Sequence, residues 1–523
     1  MGKSSFVRSA GLVSACTLLS RILGFVRDML CARYFGASPQ WDAFSVAFRA
    51  PNLFRRLFGE GALTAAFLPV FVERVDGGKP EEAHALLNRL ATALALFLGL
   101  LAAAGIALTF FLPPDDKTAL MAPLLRIMLP YLPLICVAAI FSAALNGMRS
   151  YFAPAFAPVV VNVVLIAALL PWWRDIHTQA WAVAIGGLVT ILFLTPPLVA
   201  RSMPIRPRLD LGDPTFREVI RKSLPVIFGL APVQLNELVG SLIADYFIPG
   251  HGAVSVLYYG NQLTQLPLAL IGTAVATVVF PLFASPKEDF KDVFQKSMRL
   301  VLFLSIPATI GLMVLAEPIV SLLFQHGDKF GPEETRRTAW VTLCYSAGLW
   351  CYCANQIQVR AFYAKKDTLT PVKVSATMVT LNLGLTLALV WSLKERGISI
   401  ANSATGFASF LALGSLFRRK HGDIDLKPVT IGFVRSGIAG GLMGAATWGV
   451  YRLMGGGLGD TIGRKLALVF IPIFAGVGVY LILARLLGMD ETRLLLRRRH
   501  DHRGVPGPDQ KDVPPPGQEA RSG

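Results

Sequence analysis

Fourteen apolar runs, most of them roughly 20 to 30 residues long, succeed one another along this chain with only short polar connections. An α-helix rises about 1.5 Å per residue, so about 20 residues cover the roughly 30 Å hydrocarbon core of a bilayer. The runs lie at 9–35, 41–72, 83–112, 119–147, 154–173, 178–200, 216–248, 254–284, 292–324, 335–364, 370–393, 397–417, 430–454 and 464–488. They are continuous rather than alternating, which excludes a membrane β-barrel. Composition agrees: 54% of residues are hydrophobic and 16% charged, against about 25% charged in soluble proteins. The predicted fold is an all-α polytopic membrane protein of about fourteen transmembrane helices. No connection is long enough to hold a soluble catalytic domain.

The formal net charge of +17 invites a nucleic-acid reading, but its distribution argues against one. Basic residues collect in alternate loops: Lys3 and Arg8; Arg74 and Lys79; Arg149; Arg201, Arg206 and Arg208; Lys287 and Lys291; Lys365 and Lys366; Arg418, Arg419 and Lys420; Arg497 to Arg499. The opposite loops hold little more than Lys117, Arg174, Lys329 and Lys394. Cytoplasmic loops are the ones enriched in Lys and Arg, so both termini are expected in the cytoplasm. The first run contains Arg21 and Arg27, lacks a small-residue cleavage site and exceeds signal-peptide length, so it is expected to stay as the first membrane helix. The six cysteines all sit inside apolar runs, which points to buried thiols rather than a disulfide framework or a metal site.

A weak repeat divides the chain. Pro51 and Pro267 each precede a kinked segment, Leu68-Pro69 matches Phe280-Pro281, and Pro154 matches Pro371. The offsets of 216, 212 and 217 are close enough to predict two six-helix halves of one unit. Such repeats in transporters place the site between two bundles that rock against each other. The expected organisation is an amino-terminal lobe at 1–200, a basic linker at 201–215, a carboxy-terminal lobe at 216–420, two further helices at 421–488 and a disordered tail at 489–523. In the thirteenth helix, Gly437 with Gly441 and Gly440 with Gly444 allow close helix packing.

The chemistry lies in charges that fall inside the apolar runs. Arg21, Arg55 and Arg56 are a dozen or more residues from either end of their spans. A guanidinium stays charged, and at bilayer depth it costs about 3 kcal/mol or more. Arg21 and Asp28 are seven residues apart and share a helix face. Asp42, Arg49 and Arg56 repeat at seven, Glu60 comes four residues later, and Arg55 stands beside them. Arg33, Arg49 and Arg74 read as snorkelling side chains, and Arg27 taken alone reads as structural. Asp28, Asp42 and Glu60 are too few to neutralise every arginine, which leaves a net positive, water-filled interior. Arginine suits phosphate because its fork bonds two oxygens at once. The substrate is therefore expected to be an anion, phosphorylated or pyrophosphorylated.

The segments Ser20-Arg-Ile-Leu-Gly-Phe-Val-Arg-Asp28, Phe35-Gly36, Asp42-Ala-Phe44, Pro51-Asn-Leu-Phe-Arg-Arg56 and Glu60-Gly61 resemble the amino-terminal signature of the MurJ (MviN) family. These are lipid II flippases of the multidrug/oligosaccharidyl-lipid/polysaccharide exporter superfamily. The resemblance continues through Asn146, the Pro154–Pro158 run, Tyr258-Tyr259, Gln325-His-Gly327 and Thr370-Pro371, over roughly residues 5 to 490. It implies two lobes around a V-shaped cavity, alternating access, and lipid II as substrate: undecaprenyl pyrophosphate carrying a disaccharide-pentapeptide. It carries the family's cavity arginines onto Arg21, Arg27 and Arg55, and its functional acid onto Asp42. It implies a bacterial inner-membrane location, a monomer without cofactor, and the cell-wall synthesis machinery as a potential partner. It also implies a groove for the lipid tail on the last two helices.

One departure stands out. Where relatives carry an arginine and, three residues on, an acid in the eighth helix, this chain has Gln262 and Gln265. For coupling, the resemblance points to a sodium site at Glu237, Asn382, Thr386 and Asn402, or to the membrane potential. The competing readings are an exporter of another polyprenyl-linked oligosaccharide and a multidrug antiporter; the net positive interior disfavours cationic drugs. A membrane enzyme acting on polyprenyl phosphates would need clustered acids or a nucleophilic histidine near a span end, and the sequence offers neither. A purely structural scaffold would not explain deep arginines.

Overall fold

The computed structural model describes residues 3–59, 62–113, 115–170, 174–285, 288–422, 425–455 and 461–492. Among them the structure is helical, with no strand. The amino-terminal set comprises α1 (Lys3–Phe35), α2 (Pro39–Phe54), a π-helical turn (Arg55–Gly59), α3 (Ala62–Asp76), α4 (Pro80–Leu108), α5 (Asp116–Met128), α6 (Tyr131–Gly147), α7 (Phe152–Ala167) and α8 (Ile176–Val199). The carboxy-terminal set comprises α9 (Pro214–Phe247), α10 (Ala253–Pro267), a second π turn (Leu268–Thr273), α11 (Ala274–Ala284), α12 (Phe290–Val314), α13 (Ala316–Phe324), α14 (Pro332–Ala347), α15 (Leu349–Ala364), α16 (Leu369–Leu393) and α17 (Glu395–His421). Helices α18 (Lys427–Leu453) and α19 (Ile462–Leu486) follow and pack on each other, with α18 against α12.

Each of the fourteen expected spans falls on a helical segment, but not each on one helix. Among the described residues, nine segments are long and apolar enough to cross a membrane, or ten when the two arms of α9 count as one span. That helix bends by 53° between Ile227 and Ala231. Pro225 and Pro232 flank the bend, and each lacks the N–H that would continue the helical ladder. The expected spans 119–147, 292–324 and 335–364 are each divided, at Leu129-Pro130, at Leu315 and at Gly348.

The two prolines that suggested a repeat behave alike. Pro51 precedes the π turn at Arg55–Gly59, and Pro267 precedes the one at Leu268–Thr273. Within the amino-terminal set, α1 packs on α7, α6 on α8 and α4, and α3 on α6; within the other, α16 packs on α17, α15 on α12 and α17, and α10 on α14. The bent α9 straddles both, touching α3 and α2 on one side and α16 on the other.

The chain boundary expected at 489 lies too early. Met489, Glu491 and Thr492 are buried, and Glu491 pairs with Arg299 of α12 at 2.7 Å. The rest of the tail, from 493, lies outside the described residues. All six cysteines are free, and five are buried.

Candidate functional site

The two helix sets meet most firmly at the end of the bundle where α1 finishes and α2 and α10 begin, here termed the distal end. Asp42, in the first turn of α2, reaches across to the start of α10. Its carboxylate accepts the backbone N–H of Gly252 at 2.6 Å and of Ser255 at 2.8 Å, and the Ser255 hydroxyl as well. The first N–H groups of a helix have no internal partners and carry partial positive charge, so a carboxylate from another element caps them well. Gly252 serves as the N-cap at φ +83°, a left-handed conformation that glycine adopts freely. Gly36, at φ +64°, packs so closely that a Cβ there would lie 1.9 Å from the Lys329 carbonyl oxygen. Lys117 approaches Asp245 to 3.9 Å on the same side. Behind this seal Trp41 stacks between Phe35 and Phe44, with Tyr259 beside it.

Beneath Trp41 and Phe44 lies a cavity of about 700 Å³ between the two helix sets. Its charged lining is three arginines and one glutamate: Arg27 from α1, Arg49 from α2, Arg56 from the π turn, and Glu237 from α9. All three cations come from the amino-terminal set. Arg27 donates twice to Asp28 Oδ1, from Nε at 3.1 Å and Nη2 at 2.7 Å, and also to Asn162 Oδ1 at 3.2 Å. The Tyr258 hydroxyl donates to the same Asp28 oxygen at 3.0 Å, tying α1 to α10. Asp28 is 1% exposed and its Oδ2 has no hydrogen-bond partner among the described residues. Arg49 donates to the Glu237 carbonyl at 2.7 Å, and Arg56 pairs with the Glu237 carboxylate at 2.7 Å and donates to Gln234 at 3.3 Å.

The placement amends several expectations. Arg49 does not snorkel to an interface; it stands in the cavity wall, held by a carbonyl that sequence spacing could not reveal. Arg56 rather than Arg55 lines the cavity, while the half-buried Arg55 donates to Asn52 Oδ1 at 2.9 Å. Arg21 is exposed near the middle of α1, outside the cavity lining. Glu60 lies outside the described residues. Gln262 and Gln265 both line the cavity, as expected of the positions that lack the usual charge pair. The four residues of the expected sodium site are not hydrogen-bonded to one another among the described residues: Glu237 turns to Arg56, Asn382 donates to Thr405 at 3.2 Å, and Asn402 donates to the Ile398 carbonyl at 2.9 Å. Asn382 and Asn402 nevertheless line the same cavity, and Thr386 is buried. Asn162 is a site residue that the sequence did not single out; its only signal is a polar amide within an apolar helix.

The chain as a whole is similar in sequence and fold to known proteins. The family model described as "Lipid II flippase MurJ" matches residues 31–463. A "Probable lipid II flippase MurJ" of Vibrio cholerae serotype O1 is 33% identical over 514 residues, covering 92% of this chain and 96% of that protein. A "Lipid II flippase MurJ" of Burkholderia cenocepacia is 34% identical over 385 residues, 69% of this chain and 74% of the relative. Among solved structures, "Lipid II flippase MurJ, inward closed conformation" superposes with a TM-score of 0.78 at 25% identity, over 93% of this chain and 100% of that one. An inward-facing multidrug resistance MATE family transporter of the MOP superfamily shares the fold, with a TM-score of 0.62 at 14% identity over 79% of this chain and 98% of that one.

Proposed function

The chain belongs to the lipid II flippase MurJ family, and on that premise we propose that it carries lipid II across the bacterial inner membrane by alternating access, gripping the pyrophosphate with Arg27, Arg49 and Arg56. The observation that carries this reading is a cavity closed at the distal end whose cations all stand on one wall. With the basic loops in the cytoplasm, the sealed end is periplasmic and the cavity faces the leaflet where the substrate is loaded.

Arg56 is held but not committed. The Arg56–Glu237 pair has side chains 37% and 51% exposed, and exposed pairs are worth about 0–1 kcal/mol. An incoming pyrophosphate offers charge-assisted, bidentate acceptors and displaces Glu237 from Arg56 at little cost. That exchange frees α9, the helix that touches both sets, from its tie to the π turn. A ligand shifts a conformational equilibrium only through contacts that differ between states, and the Arg56–Glu237 tie is the contact proposed to differ. Arg21, exposed near the middle of α1, offers a first anchor for the anion, and Arg55 supports the π turn. Outward movement of the anionic headgroup is favoured by an inside-negative potential, by about 2.3 kcal/mol per charge per 100 mV. No covalent chemistry is required.

Depletion and complementation in cells test the reading. Loss of the protein is expected to trap lipid II at the cytoplasmic face, and Arg27→Ala, Arg49→Ala and Arg56→Ala are each expected to fail to rescue growth. Full rescue by all three would overturn the pyrophosphate clamp.

A further inference from the structure

We propose that the cavity wall opposite the arginines is a recognition surface for the saccharide and peptide part of the headgroup, which lets the protein discriminate glycosylated lipid from bare undecaprenyl pyrophosphate. The inference deepens the flippase reading and rests on it. Apart from Glu237, the carboxy-terminal wall offers no acid or base among the described residues; amides and hydroxyls dominate its polar groups. Asn236 of α9, Gln262 of α10 and Gln356 of α15 all line the cavity, and no hydrogen bond within the described residues engages their side chains. They come from three separate helices and converge on one space. Asn355, next to Gln356, uses its amide N–H on the Gly406 carbonyl at 3.2 Å, while its Oδ1 is buried without a partner.

These half-buried side chains face the cavity, where a ligand's own donors and acceptors can reach them. An amide offers two donors and one acceptor with no net charge. It therefore adds no charge to hold a phosphate, and its paired donor and acceptor match the hydroxyl, acetamido and peptide groups of a sugar-peptide. A surface built to hydrogen-bond such groups rejects an analogue that lacks them, because its own polar atoms then stay unpaired in a partly dried space. The two walls meet at α9, where Asn236 adjoins Glu237 and hence Arg49 and Arg56. A headgroup whose pyrophosphate lies on the arginines would extend its first sugar from that junction along α10 and α15.

The test uses the purified full-length protein in nanodiscs, with lipid II and undecaprenyl pyrophosphate as separate probes. Wild-type protein is expected to bind lipid II at least tenfold more tightly than the bare lipid. The triple variant Asn236→Leu, Gln262→Leu, Gln356→Leu removes no internal hydrogen bond and is expected to keep its unfolding temperature. It should abolish the tenfold preference while holding affinity for undecaprenyl pyrophosphate within about twofold, and Arg56→Ala should weaken both lipids together. An unchanged preference in the triple variant overturns the proposal, as does a parallel loss of both affinities. If wild-type protein binds neither lipid better than undecaprenol, the flippase reading itself fails and takes this one with it.

Discussion

At the scale of single residues, the site depends on how a buried charge is held. Asp28 is nearly inaccessible and relies on Arg27 and the Tyr258 hydroxyl. Tyr258→Phe leaves packing intact but removes a hydrogen bond to a charged group, worth about 1.5–3 kcal/mol, so a lower unfolding temperature is expected in detergent. Much of this was legible in the sequence: charges spaced by seven within apolar runs identified Asp28, Asp42 and Arg56 as facing something other than lipid. Arg49 was not, because its partner is a backbone carbonyl 188 residues away. Between Arg55 and Arg56, the seven-residue stripe through Asp42 and Arg49 pointed to Arg56 and the family resemblance to Arg55; it is Arg56 that lines the cavity, from the π turn that begins at Arg55.

At the scale of elements, the distal seal depends on loops that only glycine can form. Gly36→Ala would place a methyl group 1.9 Å from the Lys329 carbonyl at a positive φ. The seal is then expected to part, and spin labels at Gln40 and Asp328 should show a longer and broader distance than in the parent. Asp42→Asn keeps an acceptor but removes the charge that complements the start of α10, so the same labels should shift in the same direction by less. At the proximal end, Asp367 accepts from the Thr370 backbone and hydroxyl and from Lys420 at 3.2 Å, tying the α15–α16 turn to the end of α17. The hydrogen bonds from Thr370, and then Lys420, hold the Asp367 carboxyl down at about 2. A depressed carboxyl stabilises the fold above its unfolded value of about 4 and loses that effect as pH falls towards 2. Asp367→Asn is thus expected to lower the unfolding temperature at pH 7, with the difference from wild type shrinking between pH 4 and pH 2. Pro51 and Pro267 marked the equivalent breaks in the sequence; that both breaks are π turns required the backbone itself.

At the scale of the whole molecule, the apolar runs determined the fold class and the alternation of basic loops its expected sidedness. The cavity arginines fall within residues 27–56, close in the chain, whereas the wall that faces them is assembled from helices α9, α10 and α15, which only the folded chain brings opposite. The result is an asymmetric container, with positive charge on one wall and neutral amides on the other. Gln262→Arg would place a cation on the amide wall, and higher affinity for bare undecaprenyl pyrophosphate is expected from a direct binding measurement. The central claim is that the amino-terminal arginines hold the pyrophosphate. It is tested most directly by the affinity of purified protein for lipid II before and after the combined substitution Arg27→Gln, Arg49→Gln, Arg56→Gln. Three charge-assisted contacts of about 1.5–3 kcal/mol each imply a loss of at least about 1,000-fold, whereas affinity within about twofold of wild type would contradict the account.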